Sequence, residues 1–280
     1  MPSKTSKMIL IVTHQGPPSD LMREITIEKL GLKARSRKFD GFLIYEGTFE
    51  EYLINLITVK KEIVYTDYVF QTFSPELAIF LSKHSSEKGI PSLCVHCTGN
   101  FGKAELGGKD KCLSIAHAPF MKNAVNYLAK HKIPGFEIAR EVTHHGPTPL
   151  VPVIFLEVGS GEKEWKNEEA SELIVECMIY CLERLDEVYE SCICFGGPHY
   201  SPFIQIDLQT KYATGHILPK WAQGDVSKEI IKQMIKRTYP EPKFAVIDKK
   251  GLSKESREKI LKWLDEMGVE VKKKRNLLKG

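Results

Sequence analysis

Residues 8–30, MILIVTHQGPPSDLMREITIEKL, decide the fold class. Met8 to Thr13 is a continuous run of apolar and β-branched side chains, the composition of a strand buried on both faces. Gly16-Pro17-Pro18 then turns the chain, and Ser19 or Asp20 can cap a helix running to about Leu30. A buried strand feeding an amphipathic helix is the building unit of α/β folds. The same alternation continues to the C-terminus. Gly41 to Tyr45 and Glu62 to Tyr65 read as strands, Ala78 to Leu81 as strand or helix, and Pro91 to Cys97 as a strand. Ala118 to His131 is predicted helical, with Met121, Ala124, Val125 and Leu128 on one side. Phe136 to Val142 and Val153 to Leu156 read as strands. Asn167 to Tyr189 carries the clearest helical pattern, with Ala170, Ile174, Cys177, Cys181, Leu185 and Val188 on its apolar face. Cys192 to Phe195 is a further strand, and Phe203 to Leu208 with Tyr212 to Ile217 reads as a hairpin. The last unit alternates helix Val226 to Lys236, strand Phe244 to Ile247, helix Ser253 to Met267 and strand Val269 to Val271. No repeat, low-complexity segment or linker interrupts the series. The expectation is one α/β domain over residues 1–280, with loose ends at 1–7 and 272–280.

Hydrophobic residues make up 42% of the 280 and charged residues 27%, a balance that excludes a mainly disordered chain. No stretch approaches the roughly 18 apolar residues of a membrane span, and the longest candidate, Leu150 to Val158, contains Pro152 and Glu157. The N-terminal apolar run lacks a small-residue cleavage site and reads as a strand rather than a signal peptide. Seven cysteines without disulfide spacing point to a reducing, cytoplasmic setting. Cys94 and Cys97 have CxxC spacing, but a single strand would point them to opposite faces. Net charge is 40 − 36 = +4, too small to diagnose a nucleic-acid binder. Two basic clusters, Lys33-Arg35-Arg37-Lys38 and Lys272 to Arg275 with Lys279, read as solvated segments or as phosphate contacts.

The unusual polar clusters each follow an expected strand. His84-Ser85-Ser86 follows AIFLSK. His96 runs into Thr98-Gly99-Asn100. Thr143-His144-His145-Gly146-Pro147-Thr148 follows FEIAREV, and Glu157-Val158-Gly159-Ser160 follows VPVIFL. Gly197-Pro198-His199-Tyr200 follows CICF, and Gly215-His216 sits near the end of the expected hairpin. Ligands of open α/β sheets bind outside the carboxyl ends of strands, so these clusters are expected to converge on one crevice. Adjacent residues of an extended segment point apart, so His144 and His145 could share a centre only in a turn. With His96, His199 and Glu157 they supply enough imidazole and carboxylate for one zinc site or two. A lone histidine reads first as a hydrogen-bonding structural residue; the set reads as a functional site. The glycine-rich Thr98 to Asp110 matches neither GxxxxGK[ST] nor GxGxxG. It could present backbone amides to an oxyanion at Thr98-Gly99-Asn100, or admit a phosphate at Gly107-Gly108-Lys109. Equally, it could be a surface loop that needs positive φ.

KHSS (Lys83 to Ser86), VHCTGN (Val95 to Asn100), Gly107-Gly108, EVTHHGPT (Glu141 to Thr148), LEVGS (Leu156 to Ser160), EW (Glu164-Trp165), GGPHYSP (Gly196 to Pro202) and GH (Gly215-His216), in this order, resemble the D-aminoacyl-tRNA deacylase family shared by archaea and plants. The resemblance runs from the first strand to Val271. It implies a single mixed-sheet, three-layer α/β sandwich similar to peptidyl-tRNA hydrolases and nucleoside phosphorylases. It further implies hydrolysis of the ester joining a D-amino acid to tRNA, and zinc as cofactor. The implied partner is tRNA, and the expectation beside it is a monomer with no membrane and no obligate protein partner. Fitting that chemistry to these residues makes His96, His144 and His199 the expected zinc ligands. His145 and Glu157 become general acid/base or orienting groups. Asn100 and the Thr98-Gly99 amides become oxyanion donors. Glu157 could alternatively face the substrate's ammonium. Tyr200 or Phe101 would stack the terminal adenine. His84, Ser85, Gly197, His216 and Lys109 complete the expected substrate contacts, with Lys111 and Lys272 to Lys274 on phosphates. Two other readings stand beside it: a metal-dependent amidohydrolase or nucleoside phosphorylase acting on a small molecule, and a non-catalytic RNA-binding module.

Overall fold

The computed structural model describes residues 7–86 and 89–279. Eight strands form a mixed sheet in the order Glu137–Arg140, Ser92–His96, Val153–Gly159, Leu77–Lys83, Lys7–His14, Tyr52–Val59, Phe42–Phe49 and Lys33–Phe39. The strands Val153–Gly159, Leu77–Lys83, Lys7–His14 and Tyr52–Val59 run parallel. Ser92–His96 runs against Val153–Gly159 and carries Glu137–Arg140 parallel to itself. A second, four-stranded sheet is parallel throughout, in the order Ala213–Leu218, Ser191–Phe195, Phe244–Ile247, Glu270–Lys272.

Strand alternation decides what each face of the large sheet carries. Leu77, Ile79, Leu81, Leu93, Val95, Ile154, Leu156 and Val158 face helices Ser19–Lys29, Ala118–Lys130 and Glu168–Leu182. The intervening residues face the other way. Phe80 and Phe155 pack there with Leu10 and Val12, and further along the same face the apolar side chains give way to Ser82, Cys94, His96 and Glu157. In the small sheet, Lys228–Lys236 and Lys254–Glu266 cover one face and Ile204–Gln209 the other. The fully buried Arg140 joins the two sheets. Its guanidinium donates to the carbonyls of Glu141 (2.7 Å) and Gly215 (2.8 Å), and Asp207 stands 4.0 Å away.

The helices begin where capping chemistry puts them. Asn167 accepts from the Ala170 amide at 2.8 Å, and His117 accepts from the Phe120 amide at 3.2 Å. Several expectations change. Glu62 to Tyr65 is not a strand: Ile63–Tyr65 is a 3-10 turn, and the strand that pairs with Lys7–His14 is Tyr52–Val59. Phe203 to Leu208 is helical, because Phe203, Ile206 and Asp207 are its buried positions, and Ala213–Leu218 pairs parallel with Ser191–Phe195 instead of closing a hairpin. The helix expected to reach Tyr189 stops at Leu182, leaving Val188 61% exposed. The basic run from Lys33 is a solvent-facing edge strand, and its charges discourage pairing with another chain. Of the expected loose ends, residues 1–6 and 280 lie outside the described residues. Lys7 opens a strand, and Lys274–Leu277 forms a helical turn with Leu277 buried. Among the described residues, no helix is long and apolar enough to cross a membrane.

Candidate functional site

Five segments bring imidazoles and carboxylates together on the polar part of the large sheet's free face. His96 ends its strand, and Glu157 lies on the neighbouring strand, its Oε2 3.4 Å from His96 Nε2. His84 follows Leu77–Lys83. Its amide donates to Val158 at 2.9 Å, and its carbonyl accepts from the Trp165 indole at 2.9 Å. Gly159 leaves room for it, since a Cβ there would stand 2.8 Å from the His84 ring. Glu141 follows Glu137–Arg140. The Val142 amide donates to the His199 carbonyl at 3.1 Å and the Ser201 amide to the Arg140 carbonyl at 2.9 Å, which fastens the Gly197 to Ser201 loop over the cluster.

His144 and His145 reach the same centre because His145 takes the left-handed conformation, with φ 41°. The turn this makes brings their ring centroids to 4.3 Å, and both lie near His96, at 4.3 and 5.0 Å. It is held from outside by backbone-to-backbone packing. A Cβ on Gly146 would lie 2.2 Å from the Gly108 nitrogen, and one on Gly107 would lie 1.9 Å from the Val64 oxygen. The glycine pair therefore serves close packing of the loop rather than a phosphate.

Hydrogen bonds fix how three of the rings present themselves. Nδ1 of His96, His144 and His145 faces the carbonyl of Cys97 (3.2 Å), Val142 (2.9 Å) and Gly146 (2.7 Å). A carbonyl only accepts, so each Nδ1 carries the proton and each Nε2 of a neutral ring offers a lone pair to the cluster. Glu141 was not singled out from the sequence, yet it is the hub. Its Oε2 lies 3.2 Å from His199 Nε2, 3.6 Å from His144 Nε2 and 3.7 Å from His96 Nε2, while Oε1 lies 3.1 Å from His84 Nδ1. The available signal was its position in FEIAREV: alternation puts Ala139 and Glu141 on the face opposite Ile138 and Arg140.

Burial alone would neutralise both carboxyls. The imidazoles of His84 and His96 outweigh it at Glu157, and those of His199, His96 and His84 do so at Glu141, so both lie below the usual range. Conversely, burial disfavours charge on His84 and His96, but the two glutamates raise them. Burial and neighbouring imidazoles lower His144 well below its ordinary value and push His145 down to about 4.

Of the expected site residues, His84, His96, His144, His145, Glu157 and His199 are brought together. Ser85 lines the adjoining hollow, and the Tyr200 ring lies 5.6 Å from His84 with its hydroxyl on Ser92 at 2.8 Å. Others take different work. Thr98 is fully buried and donates to Pro147 O; the Gly99 amide donates to the His145 carbonyl; Asn100 Nδ2 donates to the Gly107 carbonyl at 2.9 Å. These donors brace the turn, which is not the oxyanion role expected of them. His216 is fully buried between Thr143, Ser114 and Arg237 rather than facing a substrate. Gly197 packs against Gly251 and Pro202, and exposed Lys109 lines neither hollow beside the cluster. Phe101 is 3% exposed in an apolar core. Lys272 pairs with Glu270, and Lys274 donates to the Pro202 carbonyl at 3.3 Å.

Two hollows flank the cluster and share Leu106, His144, His145 and His199 in their walls. One, about 610 Å³, adds His14, Lys60, Lys61, Glu62, Lys83 and Glu157; the other, about 500 Å³, adds Phe101, Lys103, Trp221 and Asp225.

Residues 71–272 match the family described as D-aminoacyl-tRNA deacylase. The D-aminoacyl-tRNA deacylase of Pyrococcus furiosus is 37% identical over 270 residues, covering 94% of this chain and 98% of that protein. That of Pyrococcus abyssi is 35% identical over 273 residues, with the same coverage of 94% and 98%. A solved crystal structure of a conserved protein of unknown function superposes with a TM-score of 0.88 at 28% identity, covering 98% of this chain and 97% of that one.

Proposed function

The chain belongs to the D-aminoacyl-tRNA deacylase family, and from that premise we propose that it hydrolyses the ester joining a D-amino acid to the terminal ribose of tRNA, with zinc at the His/Glu cluster. The observation that carries the reading is the set of buried polar atoms without an aligned partner. Among the described residues these are His84 Nε2, His96 Nε2, His199 Nε2 and both Glu141 oxygens, with Arg140 Nε the only one outside the cluster. Buried polar groups are ordinarily satisfied, so a concentration of lone pairs calls for a shared cation. The donor set suits zinc: His96 and His144 face a carbonyl through Nδ1 and so turn Nε2 to the cluster, His199 Nε2 lies 3.2 Å from Glu141 Oε2, and both carboxyls are held below the usual range. Neighbouring ligands of a tetrahedral zinc stand about 3.4 Å apart. The Glu141 Oε2 distances to His199, His144 and His96, from 3.2 to 3.7 Å, match that spacing.

His96, His144 and His199 would hold the ion, with Glu141 as their common acidic partner. A zinc ion there supplies Lewis acidity, lowering the pKa of water and polarising an ester carbonyl. His145, neutral and with Nε2 free, accepts a proton from the attacking water. As the bond from the acyl carbon to the ribose oxygen breaks, the same nitrogen returns that proton to the ribose oxygen. Glu157 orients His96 and His84 and offers the substrate ammonium a negative charge at the floor of the larger hollow.

The test is release of D-tyrosine and of L-tyrosine from charged tRNA by the purified protein, with and without a chelator, alongside metal analysis. The reading expects fast release of the D-residue, slow release of the L-residue, and loss of activity on chelation that zinc restores. Failure to release D-tyrosine refutes the activity. Undiminished activity after confirmed metal removal refutes the zinc and leaves the activity standing.

A further inference from the structure

We propose that the smaller hollow binds the terminal adenine of the charged tRNA, the base stacking on the indole of Trp221. The proposal deepens the deacylase reading and rests on it. Trp221 is 58% exposed, an unusual state for the largest apolar side chain, whereas Trp165 and Trp263 are partly covered. Its backbone is anchored. The Lys220 amide donates to the Gly197 carbonyl at 2.9 Å, the Ala222 amide to Pro219 at 3.2 Å, and Ala222 packs into the apolar core. The ring lies 5.8 Å from His199 at an interplanar angle of 18°, so the stack it begins leads toward the cluster.

The substrate has its ester carbon between two bulky parts, the acyl side chain and the nucleoside. The protein has two hollows on either side of the imidazoles, joined through His144, His145 and His199. Placing one part in each hollow puts the ester at the cluster. The hollow with Trp221, about 500 Å³, falls within the range of small-ligand sites (about 300–1,000 Å³). It offers a flat aromatic face and, in Asp225, an acceptor for an exocyclic amine. Gly102 makes space for that carboxylate, since a Cβ there would lie 2.6 Å from Asp225 Cγ. The other hollow carries Lys60, Lys61, Lys83, Glu62 and Glu157, with His14 as the ring it adds to the shared imidazoles, and its Glu157 suits the ammonium of the aminoacyl end. Tyr200 and Phe101, the platforms expected from sequence, are committed to Ser92 and to the core.

The experiment compares the full-length wild type with Trp221→Ala and Trp221→Phe on D-tyrosyl-tRNA and D-alanyl-tRNA, resolving kcat and KM. Loss of one base–aromatic stack predicts that Trp221→Ala raises KM roughly tenfold or more on both substrates while kcat holds, and that Trp221→Phe recovers most of the loss. An unchanged KM overturns the proposal. So does a loss confined to D-tyrosyl-tRNA, which would put the amino acid on the indole, or a fall in kcat alone, which would make Trp221 a support for His199. A wild type that leaves D-tyrosyl-tRNA intact defeats the deacylase reading itself, before any variant is compared.

Discussion

Replacing Gly146 with alanine tests how the two adjacent histidines are held. The added Cβ would lie 2.2 Å from the Gly108 nitrogen and 2.4 Å from the Gly107 carbonyl carbon, both backbone atoms that cannot rotate away. Ordinary contact begins near 3.4 Å, so the two strands of loop must part by about 1.2 Å. Three hydrogen bonds span that seam at 2.9 Å: Asn100 Nδ2 to the Gly107 carbonyl, the Lys109 amide to Thr148 Oγ1, and the Gly146 amide to the Leu106 carbonyl. A parting of that size takes them beyond hydrogen-bond range. Each is worth about 1 kcal/mol net, and overpacking adds about 1–3 kcal/mol, so the variant should lose roughly 4–6 kcal/mol of stability. The proper control is Gly135→Ala, a glycine at φ +88° with nothing near its missing Cβ, where only backbone strain of about 1 kcal/mol is expected. Urea unfolding of both variants reads the difference. Because His145 adjoins Gly146, a shift near 1 Å should also slow D-tyrosyl-tRNA hydrolysis about 100-fold. A Gly146→Ala protein as stable as the Gly135→Ala control, and fully active, would refute the reasoning.

Arg140→Met should cost about 3–5 kcal/mol in urea unfolding, because it strands Asp207 in the interior without its guanidinium. Asp207→Asn added to it should recover part of that, and a loss below about 1 kcal/mol contradicts the clamp. His117 is pushed down to about 4 by burial, so its neutral form is favoured in the folded state. The unfolded chain protonates first as pH falls, and the stability this residue lends is complete above about pH 6.5 and lost toward pH 4, by up to about 3 kcal/mol. His117→Asn keeps a capping side chain without titrating, so its stability curve should be flatter over that window; parallel curves contradict the assignment. Glu141→Gln removes the negative charge that His84, His96, His144 and His199 face, and chelator competition should show zinc affinity reduced about 10–100-fold. Unchanged affinity would place the metal elsewhere.

Much of this architecture is legible in the sequence, for identifiable reasons. Met8 to Thr13 and the unit from Val226 onward read correctly because a continuous apolar run or a strong helical period leaves few alternatives. FIQIDLQ misleads because Ile204, Ile206 and Leu208 alternate like a strand, while the residues that pack inward are Phe203, Ile206 and Asp207, the last drawn in by Arg140 and Thr214. The convergence of His84, His96, His144, His145, Glu157 and His199 follows from polar clusters placed after strands. The rule about carboxyl ends covers only part of it, because Ser92–His96 runs against Val153–Gly159 and delivers His96 onto a shared face. Thr98 and Asn100 looked like free donors since their partners, the Pro147 and Gly107 carbonyls, are set by tertiary packing that a linear reading does not contain. Glu141 was hidden for a similar reason. An acid beside an arginine in AREV resembles a surface pair, whereas here both are buried and face opposite ways.

The central claim is that the His/Glu cluster is where the ester is cleaved, and the rate of D-tyrosine release by His145→Ala tests it most directly. His145 and His144 line both hollows, and neither is fully buried, so the substitution should leave the unfolding midpoint close to that of the wild type. The account predicts a fall of at least about 100-fold in kcat for His145→Ala, with a comparable fall for His144→Ala. Wild-type rates in both folded variants would mean that the reaction takes place elsewhere on the molecule.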